Sequence, residues 1–342
     1  SRTVRPSGLV GEGLVDELCK ERKRGERLER RKICALKEFS SSSSPCLAVG
    51  VFGGKQRMVS FKRGFAREAN HLEVYDVRSG TCVMTFGSEE GALFGNPLGM
   101  AISDRGDLIL TDKKLNKVCV IDWLGEFVRV MGESEEGIEA LRRPMGVAVD
   151  GEGNIIVADR DNHRLVVYGG DGTFVRSFGS HGEGDGQFNC PFGVAVGADG
   201  RIVVADSHRT RVQVFTAEWS HELTFSVEAA PAPLMTDSLS TEEEPVEQPF
   251  HHRSVAVSPH GEILLTDESL PGMQLFSKEG VFLLSFKPDD IRGLENYCAP
   301  QYDMSSVHSR VVDLTKPYAA CIDADGRIFV SDNASGQVFM LA

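Results

Sequence analysis

The chain has 342 residues, a formal net charge of −13 and 41% hydrophobic residues. That length suits one large domain of about six small sheet units, and the apolar content is enough for a packed core. The acidic balance argues against bulk nucleic-acid affinity, which needs a positive surface, while leaving room for a local basic patch. No apolar run reaches the roughly 18 residues of a helical membrane span, and no signal-peptide pattern opens the chain at Ser1. A chain that begins without Met reads as a piece of a longer protein. The eight cysteines are Cys19, Cys34, Cys46, Cys82, Cys119, Cys190, Cys298 and Cys321, and none forms a CxxC pair. Several fall in apolar strand runs, where a thiol acts as a small hydrophobe, so they read as reduced thiols of an intracellular, cytoplasmic protein with no metal and no cofactor.

In chain order, residues 1–32 come first, and LVDELCKERKRGERLERRK at 14–32 is charged throughout. Leu14, Leu18 and Leu28 make no continuous apolar face and Gly25 interrupts them, so this segment is expected to be a charged linker, partly helical or disordered. The sharper alternative is the tail of a preceding coiled coil. The first 39 residues hold 11 basic and 7 acidic side chains, against 26 and 43 in the remainder, so the charge is divided along the chain.

The segment ICALKEF at 33–39 has the pattern of a strand that recurs later as TCVMTFG (81–87), EFVRVMG (126–132), TFVRSFG (173–179) and VFLLSFK (281–287). Those four each close a unit of four short β-rich runs separated by Gly, Asp and Asn turns, an antiparallel meander. The clearest unit is RPMGVAVDGEGNIIVADRDNHRLVVYGGDGTFVRSFG, 143–179. Pro97, Pro144 and Pro191 open units two to four, and Asp112, Asp159 and Asp206 close their second strands, both at a spacing of 47 residues. The first unit is irregular, with strands expected at 46–52, 57–61, 71–77 and 81–86. Asp267 follows Asp206 by 61 residues and Asp332 follows Asp267 by 65, which places insertions at 229–249, rich in Pro, Ser and Glu, and at 287–315.

The sixth unit, 316–342, stops after three strands. The strand at 33–39, which has no first three before it, supplies the fourth. A ring whose last unit is completed by an N-terminal strand has no free closing edge. The predicted fold is therefore all-β, a six-bladed β-propeller over 33–342.

The units resemble NHL repeats. The resemblance is carried by PMGVAV, IIVAD, DNHRLVVY and TFVRSFG within 144–179, and by PFGVAVGADGRIVVADSHRTRVQVF at 191–215. The linker GSHGEGDGQFNCP at 179–191 fits the same pattern. Asp159, Asn162 and Arg164 fill the family's DxxNxR loop. Unit four has Asp206, Arg209 and Arg211 with Asn replaced, and unit two has Asp112, Leu115 and Lys117 with Asn116 one place late. The charged N-terminal stretch resembles the setting of the TRIM-NHL proteins, where a RING, B-boxes and a coiled coil precede a C-terminal propeller. The resemblance implies a ubiquitin ligase whose propeller selects partners. These 342 residues hold no RING or B-box pattern, so the domain itself is expected to be non-enzymatic and monomeric, with oligomerisation left to the coiled coil.

The repeating Asp has a scaffold role open to it, accepting amides of the following loop. Gly99, Gly146 and Gly193, at the starts of inner strands, fit close packing near the axis. The loops divide the charge by face. The first-to-second and third-to-fourth strand turns are acidic (Asp104, Asp107, Asp150, Glu152, Asp199, Asp323). The second-to-third loops of units two to four are basic, with Lys113, Lys114, Lys117, Arg160, His163, Arg164, His208, Arg209 and Arg211, and the approaches to inner strands add Arg142, Arg143, His252 and Arg253. These cations either pair with neighbouring Asp or form an arc that docks an anionic partner, an acidic protein segment before RNA. Single-stranded RNA would want a positive groove with aromatic platforms, and the arc offers few aromatics inside an acidic rim. No nucleophile–base arrangement and no metal-ligand cluster stands out on the inner strands, which read GMAI, GVAV, GVAV and SVAV.

Overall fold

A computed structural model of the chain describes residues 36–39, 47–52, 55–62, 70–87, 94–133, 137–207, 210–227, 253–267, 272–286, 317–332 and 337–341. The linker 1–32 and the insertions 229–249 and 287–315 lie outside them.

The strands group into six four-stranded antiparallel sheets. Blade one is β2 (Leu47–Phe52), β3 (Lys55–Lys62), β4 (His71–Asp76) and β5 (Cys82–Phe86). Blade two is β6 (Pro97–Ile102), β7 (Leu108–Asp112), β8 (Lys117–Ile121) and β9 (Phe127–Met131). Blade three is β10 (Pro144–Val149), β11 (Ile155–Asp159), β12 (Arg164–Tyr168) and β13 (Phe174–Phe178). Blade four is β14 (Pro191–Val196), β15 (Ile202–Asp206), β16 (Arg211–Phe215) and β17 (His221–Ser226). Blade five is β18 (Arg253–Val257), β19 (Ile263–Asp267), β20 (Met273–Phe276) and β21 (Phe282–Phe286). Blade six is β22 (Pro317–Ile322), β23 (Ile328–Asp332) and β24 (Gln337–Leu341), with β1 (Leu36–Phe39) as its outer strand. Leu36 stands opposite Leu341 and Phe39 opposite Val338, so the N-terminal strand closes the ring. The six-bladed all-β propeller read from the repeats is the observed fold.

Burial explains why the strands read differently in sequence. In β7, β11, β15 and β23 every residue is buried, because both sheet faces meet a neighbouring blade. These strands are accordingly continuous apolar runs such as IIVAD. The outer strands β9 and β17 instead alternate buried-side and exposed positions, the period-two signature of a strand with one wet face. The core is a series of wedges between blades. Phe61, Leu72 and Val74 of blade one pack with Leu108, Leu110 and Ile121 of blade two, and Val118 and Val120 pack with Val157, Val166 and Tyr168 of blade three. The ring is sealed by Met58, Tyr75 and Val77 of blade one against Phe329, Val338 and Met340 of blade six. Each such side chain, fully buried, contributes about 1.5–3 kcal/mol.

Near the axis the inner strands approach too closely for side chains at two glycines. A Cβ on Gly99 would lie 2.3 Å from the Met145 carbonyl, and one on Gly146 would lie 2.6 Å from the Phe192 carbonyl. The third-to-fourth strand turns also abut the previous blade, and blade four shows how far side chains fill that boundary. Trp219 occupies the turn position that Gly125, Gly172 and Gly280 hold elsewhere, at φ 69°. Its ring packs 5.2 Å from Phe178 of blade three, with the Arg176 guanidinium 5.2 Å above it.

Candidate partner-binding face

Turns joining first to second and third to fourth strands lie at one end of the sheets, and the second-to-third loops and interblade links lie at the other, as an antiparallel meander requires. The acidic residues of the first end lock their own turns. Asp122 Oδ1 accepts the amides of Leu124 and Glu126, Asp150 Oδ1 those of Glu152 and Asn154, and Asp323 Oδ1 those of Asp325 and Arg327. Ser258 and Ser277 hydroxyls do the same in blade five. The hydrogen bonds to Thr173 hold the Asp171 carboxyl below its ordinary range, the Thr173 hydroxyl first.

At the opposite end, the aspartate closing each second strand reaches both ways. Asp112 accepts the amides of Lys114 and Leu115 in the following loop, each at 3.0 Å, as the sequence suggests. It also accepts Gly95 and Asn96 from the preceding interblade link, which the sequence does not reveal. In blade three, Asp159 is fully buried. It accepts the Arg142 amide at 2.7 Å, the Asn162 side-chain amide at 2.8 Å and Arg164 Nε at 2.8 Å. Burial lifts the Asp159 carboxyl above its ordinary range, and the Arg142 amide, Asn162 and Arg164 pull against that lift. Arg164 and Asn162 also donate to the Ala140 carbonyl, at 2.9 and 3.0 Å. Blade four repeats the device: Arg211 Nε meets Asp206 at 3.1 Å, and its guanidinium reaches the carbonyls of Glu183 and Gln187.

Arg164 and Arg211 are thus cross-braces between a blade and the link that enters it. Lys117 holds the corresponding place in blade two, where its amine pairs with Glu133 at 3.5 Å instead. Asn116 is not a displaced copy of Asn162. It adopts φ 54°, and its side-chain oxygen accepts the Arg143 amide at 2.8 Å. His163 is its counterpart one blade on, with φ 53° and Nδ1 accepting the Cys190 amide at 3.1 Å. Arg143 and Cys190 each precede the proline of the next inner strand and themselves have positive φ. The pattern ties the loops of blades two and three to the next blade, and its signal in sequence is the fourth residue after the strand-closing Asp. The His163 ring also lies 4.5 Å from that of His181.

The other cations of the predicted arc are placed as follows. Lys113 is half-buried, and Lys114, Arg142 and Arg143 are exposed. Arg143 lies 3.7 Å from Asp161, and Arg160 pairs with the same carboxylate at 2.6 Å. His208, Arg209 and His252 lie outside the described residues; Arg253 begins β18, and its side chain is likewise outside them. The surface brought together among the described residues therefore centres on the loop of blade two and the link and loop of blade three.

The inner strands enclose an axial cavity of about 240 Å³ lined by small aliphatic side chains, with Ser254, Cys321 and Tyr318. Leu98, Met145, Phe192 and Tyr318, each one residue past a strand start, cluster together where the strands begin; Leu98, Phe192 and Tyr318 also line the cavity. Among the described residues, no group of three His, Cys, Asp or Glu is placed to hold a metal ion, and no helix is long and apolar enough to cross a membrane.

Two stretches of the chain, 141–168 and 188–215, match the NHL repeat model. They correspond to blade three and blade four. Among curated proteins no sequence matches the chain. Solved structures that match in shape include a streptogramin B lyase, at 13% identity and TM-score 0.56, with 90% of this chain and 97% of that one covered. A gluconolactonase from Xanthomonas campestris matches at 13% identity and TM-score 0.56, covering 89% and 87%. A catalytically inactive virginiamycin B lyase from Staphylococcus aureus with quinupristin matches at 10% identity and TM-score 0.54, covering 90% and 99%. These matches correct the expectation that the chain is non-enzymatic: the solved structures of its shape include lyases and a lactonase. At such identities the likeness speaks for the fold, and it brings no lyase or lactonase chemistry with it.

Proposed function

We propose that this propeller, which carries NHL repeats, is a partner-recognition platform that docks an acidic protein segment across the loops of blades two and three. The observation carrying the reading is the trio Lys114, Arg142 and Arg143. The backbone amides of all three are tied into the scaffold, at Asp112, Asp159 and Asn116, while their side chains are at the surface. Arg143 shares the Asp161 carboxylate with Arg160 but is half exposed, and Arg164 and Arg211 are taken up by buried carboxylates, so Lys114, Arg142 and Arg143 are the cations best placed to meet carboxylates of a partner. Lys113, Arg160 and His163 border the same surface. In a longer protein of the TRIM-NHL kind, this domain would choose substrates for an attached ubiquitin ligase in the cytoplasm. The ligase part of the reading rests on the resemblance of the repeats and the charged N-terminal stretch.

The test is a titration of the domain with a fluorescein-labelled, Glu-rich peptide and with labelled poly(U), at low and moderate salt. Combined Lys114→Glu, Arg142→Glu and Arg143→Glu substitutions should weaken the peptide by at least about ten-fold, the equivalent of roughly 1.4 kcal/mol, with the melting temperature unchanged. Unchanged peptide affinity would sink the reading. Poly(U) binding that survives moderate salt and is lost in the triple variant would replace the acidic segment by single-stranded RNA.

A further inference from the structure

The third-to-fourth strand turns are an internal set of controls, because their backbones repeat. Asp122 N–H donates to the Glu126 carbonyl in blade two as Gly169 does to Thr173, Thr216 to Ser220 and Ser277 to Val281 in the next three blades. The two residues after the first differ. They are Gly170–Asp171, Ala217–Glu218 and Lys278–Glu279 in blades three to five, but Trp123–Leu124 in blade two. Trp123 is 50% exposed and Leu124 is 58% exposed. Contrast Trp219, two positions further on in its own turn than Trp123, whose ring is drawn onto blade three. The turn of blade two closes with the same hydrogen bonds as the others, so neither Trp123 nor Leu124 is required by the backbone.

The strand that follows extends the apolar surface. β9 exposes Val128 and Val130, two positions apart and so on one face, whereas β17 exposes Glu222, Thr224 and Ser226. Among the described residues, β9 is the outer strand of its sheet and pairs with β8 alone. Natural outer strands are guarded by charge against further pairing, and this one carries aliphatic side chains where a guard would stand. Its charges sit at the two ends instead. Glu126 precedes the strand and Glu133 follows it, both exposed and seven positions apart. Of the nearby cations, Arg129 reaches the Gly170 carbonyl of blade three and Lys117 pairs with Glu133.

We propose that the outer edge of blade two is a second docking surface, which takes an extended peptide segment of a partner protein as a fifth strand beside β9. The chemistry of the segment follows from the edge: aliphatic side chains at alternate central positions to cover Val128 and Val130, and Lys or Arg at both flanks to meet Glu126 and Glu133. Eight residues span that distance in an extended chain, and main-chain hydrogen bonds to the open edge supply the affinity. Trp123 and Leu124 cap one end, with a large aromatic in the role such residues hold at interfaces. A second copy of this chain fits less well. Antiparallel pairing about the middle of β9 would set Arg129 opposite Arg129, and like charges directly opposite are destabilising.

The surface is tested with a random octapeptide library displayed on phage, selected on the domain and counter-selected on a Trp123→Ser, Val130→Thr variant. Both positions are exposed, and circular dichroism with a thermal melt checks that the variant is folded. The expected result is enrichment of alternating aliphatic sequences with basic flanks. Their synthetic peptides should bind the variant at least about ten-fold more weakly. N-methylation of alternate backbone amides on one edge of the peptide should abolish binding. Clones that bind both proteins equally, or that carry acidic flanks, would overturn the proposal. So would sedimentation showing a dimer of the unsubstituted domain that the variant loses, because the edge would then belong to a second copy.

Discussion

The second-to-third loops of blades two and three begin alike, with a buried aspartate at the end of a buried strand, and then diverge. In blade three, Asp159 gathers Asn162 and Arg164, and both of these reach back to Ala140 in the interblade link. In blade two, Asp112 gathers backbone amides from both sides, and Lys117 turns outward to Glu133. The same end of the same fold is thus braced by a guanidinium in one blade and by amides in the other. The difference teaches how to sort a basic face. A cation that completes a buried carboxylate belongs to the scaffold, and only the remainder is available to a partner.

The sharpest way to break that comparison is Arg164→Leu. It would leave the Asp159 carboxylate buried with Asn162 and one amide, and removing one partner of a buried pair costs about 3–5 kcal/mol. Urea unfolding should show a loss of that order. Lys117→Leu, its counterpart in blade two, should cost under about 1 kcal/mol because Glu133 is largely in solvent. Equal losses would show that the two loops are braced alike after all.

A middle-sized effect is expected at His163. Replacing it with Asn copies Asn116, keeping an acceptor for the Cys190 amide and a residue type that tolerates positive φ. His163→Ala loses the acceptor, about 1 kcal/mol, while the backbone keeps the left-handed conformation His163 already adopts. Thermal or urea melts of the two variants should separate them, and Asn that melts as low as Ala would remove the equivalence drawn between the loops.

The smallest effect sharpens the contrast with the acidic turns at the other end. The Ser79 amide, above all, holds the Asp76 carboxyl below its ordinary range against the opposing effect of burial, with Arg57 and the Arg78 amide adding to it. A carboxylate depressed in the folded protein contributes stability above its unfolded pKa, and that contribution is lost as pH falls through the lower folded value. Asp76→Asn should therefore lower stability above the ordinary carboxylate range, where that contribution is full, and flatten the acid limb of a stability–pH curve, so that the two proteins converge at low pH. A limb of unchanged slope would refute the linkage.

Much of the fold is legible in the residues because its causes are local. Pro97, Pro144 and Pro191 mark strand starts, the Gly and Asp turns mark reversals, and a four-run meander can be counted without knowing what it packs on. The match of 33–39 to the later fourth strands led to ring closure because strand pattern survives separation in sequence. Two details were not legible in the sequence, and they share one cause. Asn116 looked like a shifted loop residue because its partner, the Arg143 amide, lies 27 residues away. Which cations of the basic arc pair with a neighbouring Asp stayed open, because Arg164 and Arg211 are set apart by the buried carboxylates opposite them.

The sequence by itself determined the unit, the number of blades and the strand that seals the ring, since these follow from period, turn chemistry and repeat spacing. Only the tertiary structure decided which cations brace the ring and which face outward, and that blade two alone among its neighbours sets Trp123 and Leu124 at the tip of its turn in solvent. A side chain's burial and its hydrogen-bond partners are properties of the neighbouring blade and link, and the order of residues along one unit does not contain them.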